Sequence, residues 1–207
     1  MELIEFLSDL FKNGLLIYTA ALIFAYIALA IFSIYETRTY LQRNSFVDYN
    51  IISESPLAPS ISVIAPAYNE GATIIQNVHS LLGLHYKKSE VIIVNDGSTD
   101  DSLKLMKKAF DLEKVDFKIN PRLVTKPMRN VYKSTNPKYA KLIVIDKENG
   151  GKSDALNLGI NVASNKLIAC VDVDCILEKD SLVRMVKPFL EETDVRVIAV
   201  GGVLRIA

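Results

Sequence analysis

The chain of 207 residues has no tryptophan, only two cysteines and two histidines, and no net charge, its 24 basic side chains being matched by 24 acidic ones. Each shortage excludes something. A neutral balance offers no basic face for a phosphate backbone, so nucleic acid is not an expected partner. Cys170 and Cys175 have no cluster of His or Cys around them. They fall on one expected strand at odd spacing, which points them to opposite faces. They are expected to be buried, reduced thiols of a cytosolic domain, not a disulfide or a zinc site. His79 and His85 stand alone and are expected at the surface or at a helix end, not as ligands. The phosphate-loop pattern G-x-x-x-x-G-K-[ST] is missing as well.

Charge is also missing from Leu15 to Tyr35, inside "GLLIYTAALIFAYIALAIFSIY" (14–35). About 20 such residues at ~1.5 Å rise cross a ~30 Å hydrocarbon core, so a transmembrane helix is expected here. The preceding leader, 1–13, carries Glu2, Glu5 and Asp9 against Lys12, whereas a cleaved signal peptide begins basic. Leu3, Phe6, Leu7 and Leu10 recur at helical spacing in it, as in a helix lying on a membrane surface or the first turn of the span. Arg38 and Arg43 outweigh Lys12 across the span. Basic residues favour the cytoplasmic side, so the expected topology is a single pass of the cell (inner) membrane with the globular part in the cytoplasm. The polar, proline-bearing stretch 36–60 reads as a juxtamembrane linker.

Beyond it one grammar repeats. "SVIAP" (62–66), "EVIIVN" (90–95), "KLIVID" (141–146) and "KLIACV" (166–171) are apolar, largely β-branched runs that each exit into acidic, Asn or Gly residues. Unbroken apolar runs suit strands buried on both faces. Helical patterns follow each of them, at 72–82, 98–110 (with Thr99 and Asp100 near its cap), 153–163 and 181–191. Strand–helix alternation predicts an α/β, doubly wound, mostly parallel sheet, which binds ligands at the carboxyl ends of its strands. Glu70, Asp96, Asp154, Asp172 and Asp174 gather at that edge. Two carboxylates ~5 Å apart at an effective dielectric of ~20 repel by roughly 3 kcal/mol. A hard divalent cation would relieve that repulsion in the D-x-D of "ACVDVDC" and bridge to a diphosphate. The plainer alternative is that one Asp caps a turn and the other is solvated. In "ENGGKSDALN" (148–157), two glycines allow close backbone approach to a ligand, Lys152 can pair with phosphate and Ser153 can cap a helix. A glycine turn before a capped helix is the plainer reading. The stretch 118–138, with six basic residues and no acidic one, is either a lipid contact or a solvated loop or hairpin.

In this order, "SVIAPAYNE", "VIIVNDGSTDDS", "ENGGKSDALNLGI" and "ACVDVDCILEKDSL" resemble the family 2 glycosyltransferases of the GT-A, Rossmann-like fold, over residues 61–207. With the apolar span, the chain is similar to the membrane-embedded, processive branch that makes β-linked polysaccharides such as poly-N-acetylglucosamine, hyaluronan and cellulose. The resemblance implies inverting transfer of a sugar from a nucleotide-sugar donor, a UDP-sugar, to a glycan acceptor. It implies that Ala67, Tyr68 and Glu70 lie around the base and ribose, and that Asp96 accepts a hydrogen bond from uracil. Lys152 and Asp154 would lie beside the nucleotide. Asp172 and Asp174 would hold Mg2+ or Mn2+, with Asp174 the direct ligand. In that family a general base and a Q-x-x-R-W motif come later. Here "VIAVGGVLRIA" stops within a strand-like run, so the chain is expected to be an N-terminal piece holding the donor half without the base. Glu178 and Asp180 read as a helix start, not as that base. Two rivals stay open. One is a membrane-anchored protein that binds a nucleotide sugar without turning it over. The other is a haloacid-dehalogenase-like phosphatase, whose D-x-D-x-[TV] pattern "DVDCI" breaks at its last position.

Overall fold

Backbone polar groups in an apolar run must be paired, and side chains on both of its faces must be covered. The four runs meet both demands by lying side by side. The computed structural model describes residues 2–44, 52, 55–119, 121–191 and 196–202. It divides into two compact units, Met1–Asp48 and Tyr49–Ala207.

The first unit is a helix, α1 (Glu2–Asn44). No proline interrupts it, and helical backbone continues past both ends of the apolar stretch. Its segment Ile4–Thr39 is long and apolar enough to cross a membrane, its most apolar 18 residues having a mean hydropathy of 2.5 and none of them buried in protein. Within it, the Thr19 hydroxyl donates to the Leu15 carbonyl at 2.8 Å and that of Thr39 to the Tyr35 carbonyl at 3.0 Å. These hydroxyls therefore find partners on the helix itself, as groups in hydrocarbon must.

The second unit runs β1 (Ile61–Ala67), α2 (Ile74–Leu82), β2 (Ser89–Asp96), α3 (Ser102–Ala109), β3 (Leu112–Val115), β4 (Met128–Ser134), β5 (Leu142–Lys147), α4 (Lys152–Val162), β6 (Leu167–Cys170) and α5 (Ser181–Leu190). One six-stranded sheet has the order β3-β4-β5-β2-β1-β6. Strands β5, β2, β1 and β6 are parallel, and β4 is antiparallel to both β5 and β3. Val63, Ala65, Val91, Ile93 and Val144 pack under α2, α3 and α5, while Ile64, Ile92, Val94 and Ile145 pack under α4. Helices thus cover both faces, which is the doubly wound, mostly parallel α/β sheet that the alternation predicts. The helices that follow β2 and β5, neighbours in the sheet, cover opposite faces, so the connections diverge and a crevice opens at the carboxyl ends of these strands.

Of the readings left open for 118–138, the hairpin holds in part: residues 128–134 form β4, which pairs with β3 and β5 in the main sheet. Two expectations need correction. The D-x-D is not on a strand. β6 ends at Cys170, and Asp172 and Asp174 lie in the turn after it, where the Cys175 amide donates to the Asp172 carbonyl at 3.0 Å. The thiols are not buried either: Cys170 is exposed and Cys175 half-buried, both unbridged. The cause is position. On β6 Ala169 and, in part, Leu167 face the core, and α4, packed over β1, leaves the Ile168 and Cys170 face open.

Candidate active site

Parallel strands deliver their exits to one edge. The register aligns Ala67 of β1 with Asn95 of β2, and Asn95 with Asp146 of β5. Asp96 and Lys147 form the next pair along. β6 ends two residues short of Asp172, on the other side of β1. At ~4.8 Å per strand, the exits of β2 and β6 are separated by roughly 10 Å, the length scale of a nucleotide diphosphate.

Three clusters occupy this edge. The first surrounds Asp96, which is buried. Its carboxylate accepts the Lys147 ammonium at 2.7 Å and the Gly150 amide at 3.0 Å on Oδ1, and the Gly151 amide at 2.8 Å on Oδ2. The Asn149 side-chain amide donates to the Asp96 carbonyl at 2.8 Å. Lys147, fully buried, also lies 2.7 Å from Asp154 Oδ2 and donates to the Glu148 carbonyl. Asp154 additionally accepts the Lys126 amide at 3.0 and 3.2 Å. Desolvation alone would push the Asp154 carboxyl up, but the Lys147 hydrogen bond, the Lys126 amide and the two ammonium charges outweigh it and hold its pKa below the ordinary carboxylate range. Gly97 turns the chain with φ +67°, and a Cβ there would meet the Asn149 amide nitrogen at 2.7 Å. Only glycine lets the two loops close on Asp96.

The second cluster knits the exits of β1 and β2. The Asn69 amide donates to Ser98 Oγ at 3.0 Å, and Asn69 Oδ1 accepts the Thr99 amide at 2.8 Å. The Gly71 amide donates to Asp100 Oδ2 at 2.9 Å. Asp100 Oδ1 accepts the Ser102 amide at 3.0 Å and its hydroxyl at 2.5 Å, an Asx turn that leads into α3. The Ser102 hydroxyl is the first cause of a lowered Asp100 pKa, with the Ser102 and Gly71 amides adding to it against desolvation. Ala67 is buried in the core, Tyr68 is half exposed, and the Glu70 carboxylate lies 3.4 Å from the Thr73 hydroxyl.

The third cluster is the D-x-D turn. Asp172, Asp174 and Cys175 bring their ligand atoms within 4.8 Å of one another. Lys152, the first residue of α4, forms an ion pair with Asp172. That hydrogen bond is the main reason its pKa is raised, with the Asp172 and Asp174 charges adding to it. The first and third clusters are joined by one peptide unit: Gly151 donates its amide to Asp96 and the next side chain, Lys152, reaches Asp172.

The sequence family model of glycosyl transferase family 2 matches residues 62–203, which include all three clusters. The chain belongs to glycosyl transferase family 2. It is 30% identical over 197 residues, 95% of its length, to the poly-beta-1,6-N-acetyl-D-glucosamine synthase of Staphylococcus aureus (strain COL), and spans 40% of that protein. The synthase of the same name from Staphylococcus epidermidis is 29% identical over 140 residues, 66% of this chain and 27% of the relative. Solved structures similar to it include a mannosyltransferase, PcManGT from Pyrobaculum calidifontis, in complex with GDP-Man and Mn2+. It is 22% identical, has a TM-score of 0.48, and is matched over 80% of this chain and 43% of its own. Another is S. aureus TarS 1–349 in complex with UDP-GlcNAc, 24% identical, with a TM-score of 0.46 over 64% of this chain and 31% of its own.

The family 2 edge thus brings together Asp96, Lys152, Asp154, Asp172 and Asp174, while Ala67, Tyr68 and Glu70 line the neighbouring loop. Sequence reasoning missed Lys147, Asn69, Ser98 and Asn149. Lys147 had a signal: it is a charge continuing an apolar strand, where β5 runs one residue past "KLIVID". The others are polar loop residues whose partners lie 29 to 53 positions away, and no local pattern marks them.

Proposed function

We propose that this domain is the donor-binding part of a membrane-anchored, inverting glycosyltransferase that moves a sugar from a UDP-sugar to a growing glycan. The observation that supports it is the continuous polar run along one sheet edge, from Asp96 through Gly151 and Lys152 to Asp172 and Asp174. Asp96 receives the uracil, since a carboxylate that only accepts complements the N3–H of that base. Ala67 leaves room beside it, the half-exposed Tyr68 ring offers a face to the base, and Glu70 faces the ribose. The N-terminal amides of α4 and the Lys152 ammonium meet the diphosphate.

Two carboxylates and a thiol in one turn make an oxygen-rich donor set that fits Mg2+ or Mn2+, with Asp174 as the direct ligand and Asp172 beside it. Such an ion supplies Lewis-acid stabilisation of the leaving diphosphate. Lys152 pairs with Asp172, so its ammonium lies beside the carboxylates that would hold the ion, where it would meet the phosphates. The apolar segment of α1 anchors the domain to the cell membrane, with the domain in the cytoplasm. The likeness to poly-beta-1,6-N-acetyl-D-glucosamine synthases makes UDP-N-acetylglucosamine the donor to try first.

Calorimetry of UDP binding in the presence of Mn2+ tests this reading. Asp174→Asn is expected to weaken UDP at least about tenfold, the scale of one charge-assisted contact. Glu178→Gln, outside the cluster, is expected to change it by less than about twofold. Equal small losses in both variants would remove the metal assignment. Product from labelled UDP-N-acetylglucosamine separates a transferase from a protein that binds the nucleotide sugar without turnover.

A further inference from the structure

A lysine with no exposed surface must have every donor satisfied, because an unpaired buried ammonium is prohibitively costly. Lys147 meets that condition with three partners: Asp96 Oδ1 at 2.7 Å, Asp154 Oδ2 at 2.7 Å and the Glu148 carbonyl. Each partner belongs to a different part of the edge. Asp96 ends β2, Glu148 opens the glycine loop, and Asp154 lies in the first turn of α4. A buried charge cluster of this kind adds little stability over an apolar replacement, so what it supplies is placement.

We propose that Lys147 is a positioning residue for the donor nucleotide, fixing the Asp96 carboxylate so that a single lone pair is left to read the base. This rests on the proposed role of Asp96 toward uracil. A carboxylate has about four lone-pair sites. Lys147 and the Gly150 amide take those of Oδ1, and the Gly151 amide takes one of Oδ2. The remaining site on Oδ2 accepts one N–H. Uracil carries a hydrogen on N3, and cytosine presents a lone pair there, so the arrangement admits the first and repels the second. The fixing extends outward, because Asp154 also binds the Lys126 amide with both oxygens. Without the ammonium, Asp96 and Asp154 would face each other as like charges across an empty slot, and Asp96 would turn away from the glycine loop.

The test is a double-mutant cycle on the full chain in detergent micelles, reading the Kd of UDP and of CDP by calorimetry with Mn2+ present. Lys147→Met is expected to weaken UDP about tenfold and to move the UDP-to-CDP preference toward one. Asp96→Asn should do the same. The double variant should bind UDP no more weakly than Asp96→Asn alone, since Lys147 acts through that carboxylate. A general structural role would instead lower both nucleotides in parallel and multiply with Asp96→Asn, and either result overturns the proposal. So does wild-type affinity in Lys147→Met. Wild-type UDP affinity in Asp96→Asn would instead sink the assignment of Asp96 to the base, a separate failure. If melting shows that Lys147→Met does not fold, Lys147→Gln, which keeps an N–H donor without the charge, takes its place in the same cycle.

Discussion

Replacing Gly159 by alanine puts a methyl where there is no room. Gly159 lies on the face of α4 that meets β1, and a Cβ built there would sit 2.3 Å from Ile64 Cγ2, 3.3 Å from its Cδ1 and 3.4 Å from its Cβ. Carbon atoms in contact keep about 3.5–4.0 Å, so the nearest pair overlaps by more than ~1 Å. Ile64 cannot yield. It is fully buried on β1 with β2 and β6 on either side, and its β-branched side chain is stiff at χ1. The helix must therefore lift from the sheet. Overpacking costs about 1–3 kcal/mol, and this overlap belongs at the upper end. Alanine recovers roughly 1 kcal/mol of helix propensity over glycine. The net loss is about 2 kcal/mol, a fall in Tm of about 4–8 °C for a domain of this size. With no tryptophan in the chain, far-ultraviolet circular dichroism is the readout for thermal unfolding. Gly14→Ala is the matched control, because nothing lies within 4 Å of its Cβ position in α1. A Gly159→Ala domain as stable as the wild type would refute the close approach of α4 to β1, and with it the placement of Lys152 at the sheet edge.

Two further outcomes follow from the loops. Asp100→Ala removes the carboxylate that ties the Gly71 amide to the Ser102 amide and hydroxyl, and should cost about 1 kcal/mol, measured by denaturant unfolding at neutral pH. The Asp100 carboxyl is held below its ordinary range, so the stabilisation is present above the unfolded aspartate value of about 4 and is lost as pH falls through the lower folded value. Wild type and variant should therefore converge in strong acid, and an unchanged gap there would count against the role of the Asp100 carboxylate. Asn161→Ala deletes the clasp on the basic loop, in which Asn161 Oδ1 accepts the Arg122 and Leu123 amides at 2.9 Å each and its amide donates to the Leu123 carbonyl at 2.8 Å. Trypsin should then cut after Arg122 several-fold faster, since proteolysis tracks local opening, and an unchanged rate would mean that the clasp does not hold the loop.

Much of this fold is written locally. Four apolar runs became β1, β2, β5 and β6, and the helical patterns after them became α2 to α5, because periodicity and burial act on neighbours in the chain. β3 was not legible, and β4 was open only as one arm of a hairpin. "LEKV" and "MRNVYKS" carry few apolar residues, and they become strands only because β5 presents an unpaired edge that β4 can extend. The D-x-D was legible as chemistry but not as geometry. The residues read as strand continue as a turn, since β6 pairs with β1 only through Cys170.

By itself the sequence determined the apolar helix, the parallel alternation, the acidic strand exits and membership of the family, all of which depend on residues close together in the chain. Tertiary structure alone decided that Lys147 sits between Asp96 and Asp154, partners 51 and 7 positions away, and that Lys152 meets Asp172. A buried charge is stable only where distant segments bring it its counter-charges. No local pattern encodes that meeting; the packing of α4 against the sheet does.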